Sequence, residues 1–289
     1  MKRGIFLLPL VYLLTVSCSV DELDIQDTNA SSQDVFHAYL ESYSEPDTKV
    51  YVNEDIRLRW DAEDRISIFK TTYNSQYRFE GVTGDADGDF SEVPSGSFVT
   101  GNELEGFICA VYPYQRSTTI SNSNVLSFQF PAEQTYRKGS FGPGANTMVS
   151  VTKTKTDPLK FKNAGGYLVL KFYGKDISVS SITLEGRNGE FLSGKGAWEI
   201  VLGATPDFTF DSTAGTSITL TCKDPVALGA TKEEATAFWI VVPPTPFEKG
   251  IKLTITRADG KEATLETDMK LSIVRNTLLR ITPVELHFD

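Results

Sequence analysis

The sequence is poor in the side chains that carry covalent and metal chemistry. It holds three Cys and two His in 289 residues. Cys18, Cys109 and Cys222 lie far apart, so there is neither a disulfide framework nor metal-type spacing. Cys109 and Cys222 each sit in a separate apolar run and are expected to be buried, unbridged thiols. His37 and His287 stand near opposite ends of the chain, each on the polar phase of an alternating stretch, where solvent-facing strand residues are expected. The patterns HExxH, GxSxG and GxxxxGK[ST] are missing, so zinc hydrolysis, nucleophile-elbow and phosphate-loop chemistry have no carrier. A glycosidase needs only two carboxylates across a cleft, but nothing singles out a pair among 38 acids. A protein that is not an enzyme, with no cofactor and no metal, is the expectation.

Positive charge is also short. Against 38 acids stand 28 Lys and Arg, for a formal net charge of −10. Such a surface opposes nucleic acid and anionic lipid headgroups. Between Ser19 and Thr48 there is no Lys or Arg at all. Long apolar runs are missing too, with one exception at Ile5–Val16. That run is shorter than the roughly 20 residues needed to cross a bilayer. With Lys2-Arg3 before it, it fits a signal peptide over residues 1–17. Leu14-Thr15-Val16-Ser17-Cys18 resembles a lipobox, with Thr15 where Leu is usual, so lipid attachment at Cys18 is expected. Several acyl chains there would anchor the protein to the outer membrane, each buried CH₂ contributing about 0.8 kcal/mol. Residues 18–34, polar and acidic, read as a flexible tether.

What the chain does have is period-two alternation. Phe36, Ala38 and Leu40 alternate with His37, Tyr39 and Glu41, which marks a half-buried strand. Strand-like runs then recur at Val50–Val52, Ile56–Trp60, Ile66–Phe69, Tyr77–Phe79, Phe107–Tyr112, Val125–Phe130 and Met148–Thr152. A Lys/Thr-rich stretch, Lys153–Pro158, looks like a boundary. A second series includes Leu159–Lys162, Tyr167–Tyr173, Ser181–Leu184, Gly196–Val201, Ile218–Cys222, Phe238–Val242, Ile251–Ile255 and Val284–Phe288. Helix signals are confined to Ala230–Ala237. The fold expected is all-β, with one sandwich over 35–155 and another over 156–289. Phe107–Pro113 and Phe238–Pro244 echo each other: both place Phe six residues before a Pro, across an unbroken apolar run. Each reads as a central strand buried on both faces and stopped by its Pro.

Three further groups invite a ligand. Asp85-x-Asp87-x-Asp89 followed by Glu92 could hold Ca²⁺, but Gly88 and Glu92 miss the EF-hand positions, so a hairpin turn is expected. Trp60, Trp198 and Trp239 lie inside strand runs and read as core. Tyr73 and Tyr77 are the exposed aromatic candidates for sugar stacking.

A set of scattered motifs resembles fimbrillin-like proteins of Bacteroidota. It comprises Pro113-Tyr114, Pro131-Ala-Glu-Gln134-Thr-Tyr136, Gly139-Ser-Phe-Gly-Pro-Gly-Ala145-Asn146, Phe161-Lys-Asn163-Ala-Gly-Gly166, Ile182-Thr-Leu-Glu-Gly186 and Phe238–Pro244. Ser19 after the lipobox Cys, with Asp21, Glu22 and Asp24 beyond, resembles the sorting signals of surface-exported lipoproteins in that group. The resemblance implies two tandem transthyretin-like, Greek-key β-sandwiches. It also implies a pilus subunit whose lipidated precursor is cut by a trypsin-like protease after Arg or Lys. Loss of the first strand then opens a groove for a donor strand from another subunit. Here the first cleavable residue after the lipobox is Lys49, followed by Arg57 and Arg59. Cutting at any of them would release Phe36, Ala38 and Leu40. Val284, Leu286 and Phe288 alternate with polar residues and are the donor candidate. The partners implied are other pilus subunits, the outer membrane through the anchor, and a host or bacterial surface ligand, with no nucleic acid. The alternative is an unprocessed, monomeric surface lipoprotein that binds glycans or host ligands.

Overall fold

The computed structural model describes residues 34–42, 57–96 and 100–288. Cys18, the signal peptide, Lys49 and Val50–Val52 lie outside the described residues. The described chain is built from strands. First come β1 (Val35–Leu40), β2 (Arg65–Phe69), β3 (Ser75–Phe79), β4 (Asp87–Glu92), β5 (Ile108–Tyr112), β6 (Thr119–Ile120) and β7 (Val125–Phe130). Next are β8 (Glu133–Arg137), β9 (Ser140–Phe141), β10 (Met148–Thr152), β11 (Leu159–Asn163), β12 (Gly166–Tyr173), β13 (Ser178–Gly186), β14 (Gly194–Glu199) and β15 (Thr209–Phe210). Last are β16 (Ser217–Ala227), β17 (Thr236–Val242), β18 (Thr245–Phe247), β19 (Ile251–Arg257), β20 (Glu262–Glu266), β21 (Leu271–Ile273), β22 (Leu278–Arg280) and β23 (Val284–Glu285).

The all-β expectation holds. The helix signal at Ala230–Ala237 becomes a turn running into β17. Its few residues are too short to nucleate a helix unaided. Ile56–Trp60 is not a strand over its described residues 57–60. β4 was hidden because Asp and Gly, which β-propensity disfavours, fill half of it.

The first sheet is a closed barrel in the order β1-β11-β10-β5-β2-β3-β4, not the open sandwich expected. Closure comes from β1, which pairs in parallel with β11 and antiparallel with β4. Its interior is filled by Phe36, Trp60, Ile66, Tyr77, Phe79, Phe90 and Phe161. On the outer face, Phe69, Cys109, Val111 and Val149 meet Leu126, Phe128, Phe130 and Trp198 of the sheet β15-β14-β7-β6. β5 is therefore apolar throughout because both of its faces are buried.

The remaining strands form two layers. One runs β20-β19-β13-β16-β8-β9; the other runs β17-β12-β22, with β23 also on β12. Between them lie Leu168, Leu170, Phe172, Ile182, Leu184, Phe238 and Ile240. The far face of β12 and β17 is covered too, where Tyr167, Val169, Trp239 and Val241 pack with Ala145. β17 is buried on both faces as expected, but it stands at the edge of its sheet rather than at the centre. Its open edge is satisfied by Gln134, whose side chain donates to Val241 O at 2.7 Å and accepts from Val241 N at 2.9 Å.

Sheet membership changes after β11, so the expected boundary at 155/156 falls inside the β10–β11 pair of the barrel. Lys153–Pro158 is the exposed turn of that hairpin. Strands also cross between the halves: β7 pairs with β14, and β8 lies parallel to β16.

Candidate functional site

β1 is the element on which the expected activity turns, and its surroundings define the site. Phe36 and Ala38 are 1% and 0% exposed and point into the barrel, whereas Val35 and Tyr39 face outward. The alternation in the sequence is thus the inside–outside period of the strand. Phe36 meets the Tyr77 ring edge-on, with centroids 5.4 Å apart. Tyr77, expected to be exposed, is fully buried beneath β1; Tyr73 is half-buried. Burial pushes the Tyr77 phenol up to about 12. Ala38 lies opposite Gly88 of β4, and a side-chain carbon on Gly88 would sit 2.7 Å from the Phe79 ring. The slot is tight at that row.

Both ends of β1 are tied down by charge. At its start, Asp34 accepts a hydrogen bond from Lys70 at 2.9 Å and lies 3.6 Å from Lys155. The Lys70 hydrogen bond, set against burial and helped by the charges of Lys70 and Lys155, holds the Asp34 carboxyl below its usual 3.8. Burial opposes the Lys70 charge, yet its hydrogen bonds to Asp34 and Tyr77 raise the ammonium overall. At the other end, Glu41 takes a two-pronged contact from Arg275, at 2.6 and 3.0 Å, and accepts from Asn163 N at 2.9 Å. Asn276 donates to Ser42 O at 2.7 Å. Behind these contacts lies a buried amide chain. Asn146 donates to Asn163, Asn163 to Asn276, and the Tyr167 hydroxyl to Asn146. β1 therefore closes the barrel and also reaches the turn before β22.

A pH dependence follows. A carboxyl whose folded value is depressed stabilises fully above its unfolded value and loses that stabilisation as pH falls through the folded one. For Asp34 the loss begins near 3.8 and runs downward. Asp64 works in the opposite sense, because burial raises it and protonation favours the fold. Global acid unfolding mixes the two, so the β1 amides are the proper reporter. Their hydrogen-exchange protection, relative to β12, is expected to fall below pH 3.8 in the native chain. It should stay level in Asp34→Asn.

The other expected sites are distributed as follows. Arg57 and Arg59 are exposed, but they flank the buried Leu58 and Trp60. Trp60 is pinned to the Asp85–Gly84 turn by two backbone hydrogen bonds of 2.9 Å. Val284 begins β23, parallel to β12, and Leu286 is 2% exposed. Phe288 packs on the same core beside Arg257. The donor candidate is thus seated in its own C-terminal core.

The three aspartates do not converge. Asp85 accepts from Val82 N in its turn, while Asp87 and Asp89 flank His37 on the adjoining strand. His37 Nδ1 lies 2.7 Å from Asp89, so this residue is a cross-strand partner of β4 rather than a simple solvent-facing one. The register Ala38↔Gly88 creates that contact, and only the pairing of β1 with β4 could have revealed it. Among the described residues, no group of three His, Cys, Asp or Glu is placed to hold a metal ion. Cys109 and Cys222 are free and buried, and burial raises both thiols, Cys222 to about 11.

A cavity of about 400 Å³ adjoins the end of β1. Its walls include Leu40, Trp60, Asp61, Asp64, Arg137 and Trp239. Each oxygen of its two carboxylates is engaged within the protein. Arg137 holds both oxygens of Asp61, and Asp64 accepts from Asp61 N and the Tyr112 hydroxyl.

No family model matches the sequence, and no curated protein matches it. Solved structures align with the chain over most of its length. A Bacteroides ovatus protein assigned to cell adhesion aligns over 88% of this chain and 92% of its own, at 14% identity and a TM-score of 0.48. A Bacteroides uniformis protein of the same assignment aligns over 78% and 88%, at 16% identity and a TM-score of 0.47. The tip fimbrial protein Mfa3 of Porphyromonas gingivalis aligns over 85% and 92%, at 11% identity and a TM-score of 0.33. The structures to which the chain is similar thus include adhesion and fimbrial proteins of Bacteroides and Porphyromonas.

Proposed function

We propose that the chain is a lipid-anchored surface precursor of a fimbrial adhesion subunit. In this reading, proteolysis between Lys49 and Arg59 frees β1 together with the Cys18 anchor, and a strand from another subunit replaces it. The barrel and the C-terminal layers are then the two transthyretin-like units. The observation that carries the proposal is the position of β1. It precedes every candidate cleavage residue in the sequence, has barrel neighbours on both edges, and supplies two fully buried side chains. Its loss would leave two unpaired strand edges and an apolar slot, the features that an added strand satisfies. Bond by bond, the site is uneven. Cleavage after Arg59 needs Leu58 and Trp60 drawn out of the core to fit a protease cleft, and cleavage after Arg57 needs Leu58 drawn out, so Lys49 is the bond this core opposes least.

N-terminal sequencing and intact mass of the protein sheared from cells test this. A start at residue 50 or 58 without acyl mass is expected. An acylated Cys18 on all the material would sink processing and leave the unprocessed lipoprotein. The cavity beside Trp60, with aromatic and charged walls, is then the place to look for a glycan.

A further inference from the structure

We infer that the slot occupied by β1 reads its occupant at three positions, and that the replacing strand comes from a polypeptide other than this one. The inference rests on the processing reading above. The slot demands a large apolar side chain first, a small one two residues on, and a carboxylate five residues after the first.

Each demand has its own cause. The first position must fill the space over Tyr77 that Phe36 holds edge-on. At the third, Ala38 is 0% exposed and shares its row with Gly88, over which the Phe79 ring lies. Paired residues of neighbouring strands point to the same face, so a branched side chain in place of Ala38 would press into this filled interior, and overpacked cores are destabilised much as cavities are. The sixth position faces the Arg275 guanidinium and the Asn163 N–H, both of which Glu41 satisfies. Arg275 is 22% exposed at its side chain with Glu41 in place, so an occupant that seats there without a carboxylate covers the guanidinium and leaves its charge unanswered. A charge left without a partner in such a place is costly, so an occupant lacking the carboxylate binds weakly.

Within the sequence, Phe36–Glu41 is the only segment combining a large apolar residue, then Ala, Gly or Ser, then a large apolar residue followed by an acid at this spacing. Val284–Asp289, the donor candidate, comes near, as does Ile56–Asp61, which places Leu58 at the small position and whose Leu58 and Trp60 are buried in the barrel. Val284–Asp289 has the alternation and the acid, but places Leu286 where the slot admits a small side chain. It is also engaged in its own core, where Leu286 N donates to Tyr173 O at 2.9 Å. A second copy offering this segment must both vacate that core and overfill the slot. The occupant argued for is thus an extended segment of a different subunit, with a small middle residue and an acid at its end.

Peptide competition on the protein cut between residues 49 and 59 tests this, with labelled 34–42 peptide as the reference. Peptides carrying Glu41→Gln or Ala38→Leu are expected to bind about tenfold more weakly or worse. The native 282–289 peptide should bind no better than the Ala38→Leu peptide. Equal binding by 282–289 and 34–42 would overturn the inference in favour of a second copy. Equal binding by the Gln and native 34–42 peptides would remove the carboxylate demand. Failure of the cut chain to lose β1 would count against processing instead. In that case the intact chain decides the slot chemistry. Glu41→Gln and Ala38→Leu should each speed β1 amide exchange about tenfold relative to β12, and unchanged exchange would overturn it.

Discussion

Truncating Trp60 to alanine is expected to cost about 3–5 kcal/mol, a large part of the roughly 5–15 kcal/mol that holds a typical domain folded. Trp60 is 1% exposed and lies among Phe79, Phe90, Tyr112 and Phe161, with ring centroids 5.0 to 5.9 Å away. Deleting the indole removes its own burial and leaves a void bounded by four rigid rings, which cannot close in around an alanine. Aromatic edge contacts add to the loss, at about 0.5–1.5 kcal/mol for a good pair. Among the described residues the indole nitrogen has no hydrogen-bond partner, so no hydrogen bond is lost with it and relief of that buried donor offsets part of the cost. Urea unfolding followed through β-sheet circular dichroism gives the number, and a loss under about 1 kcal/mol would mean that the barrel interior repacks freely. This residue also sets a limit on processing. A chain beginning at residue 58 keeps Trp60 in its place, whereas one beginning at residue 60 puts a free amino terminus on this buried plug.

Much of this architecture could be read from the sequence, and the reasons are local. Val125–Phe130 and Met148–Thr152 coincide with β7 and β10 because their side chains alternate or stay apolar up to a turn. Phe238–Val242 was correctly read as buried on both faces, since nothing polar interrupts it. Pairing partners were not legible. That β7 joins β14 and β8 joins β16 depends on contacts between residues far apart in the chain, which periodicity does not encode. The same blindness hid the barrel, which closes only because β1 finds both β4 and β11. Tyr77 was misread for a related reason: it belongs to the inward phase of β3, between Ser75 and Phe79, and the strand is too short for the phase to be evident. At the candidate site, Phe36, Ala38 and Leu40 were visible as alternation. Glu41 was not, because its value comes from Arg275, 234 residues away.

Two residues of the motifs that resemble fimbrillin-like proteins, Asn146 and Asn163, have a structural rather than a surface role, and replacing Asn163 by leucine is expected to cost about 2–5 kcal/mol. Asn163 is 0% exposed and closes β11 where the barrel meets the C-terminal layers. Its side chain accepts from Asn146 at 2.7 Å and donates to Asn276 at 2.6 Å. Leucine fits the space but makes neither bond, so Asn146 loses its acceptor and Asn276 loses the Asn163 donor. Each such loss at a buried polar group costs about 1–3 kcal/mol. The damage also spreads to β1, because Asn276 holds Ser42 O and Arg275 holds both Glu41 and the Asn163 carbonyl. Lys160→Ala, on an exposed side chain of the same strand, should stay within about 0.5 kcal/mol. Urea unfolding of both variants, with amide exchange of β1, separates the outcomes. A large loss of stability with faster β1 exchange fits a joint that holds β1 to the second half of the molecule. A large loss with β1 exchange unchanged relative to β12 would confine the network to core stability and detach it from strand release.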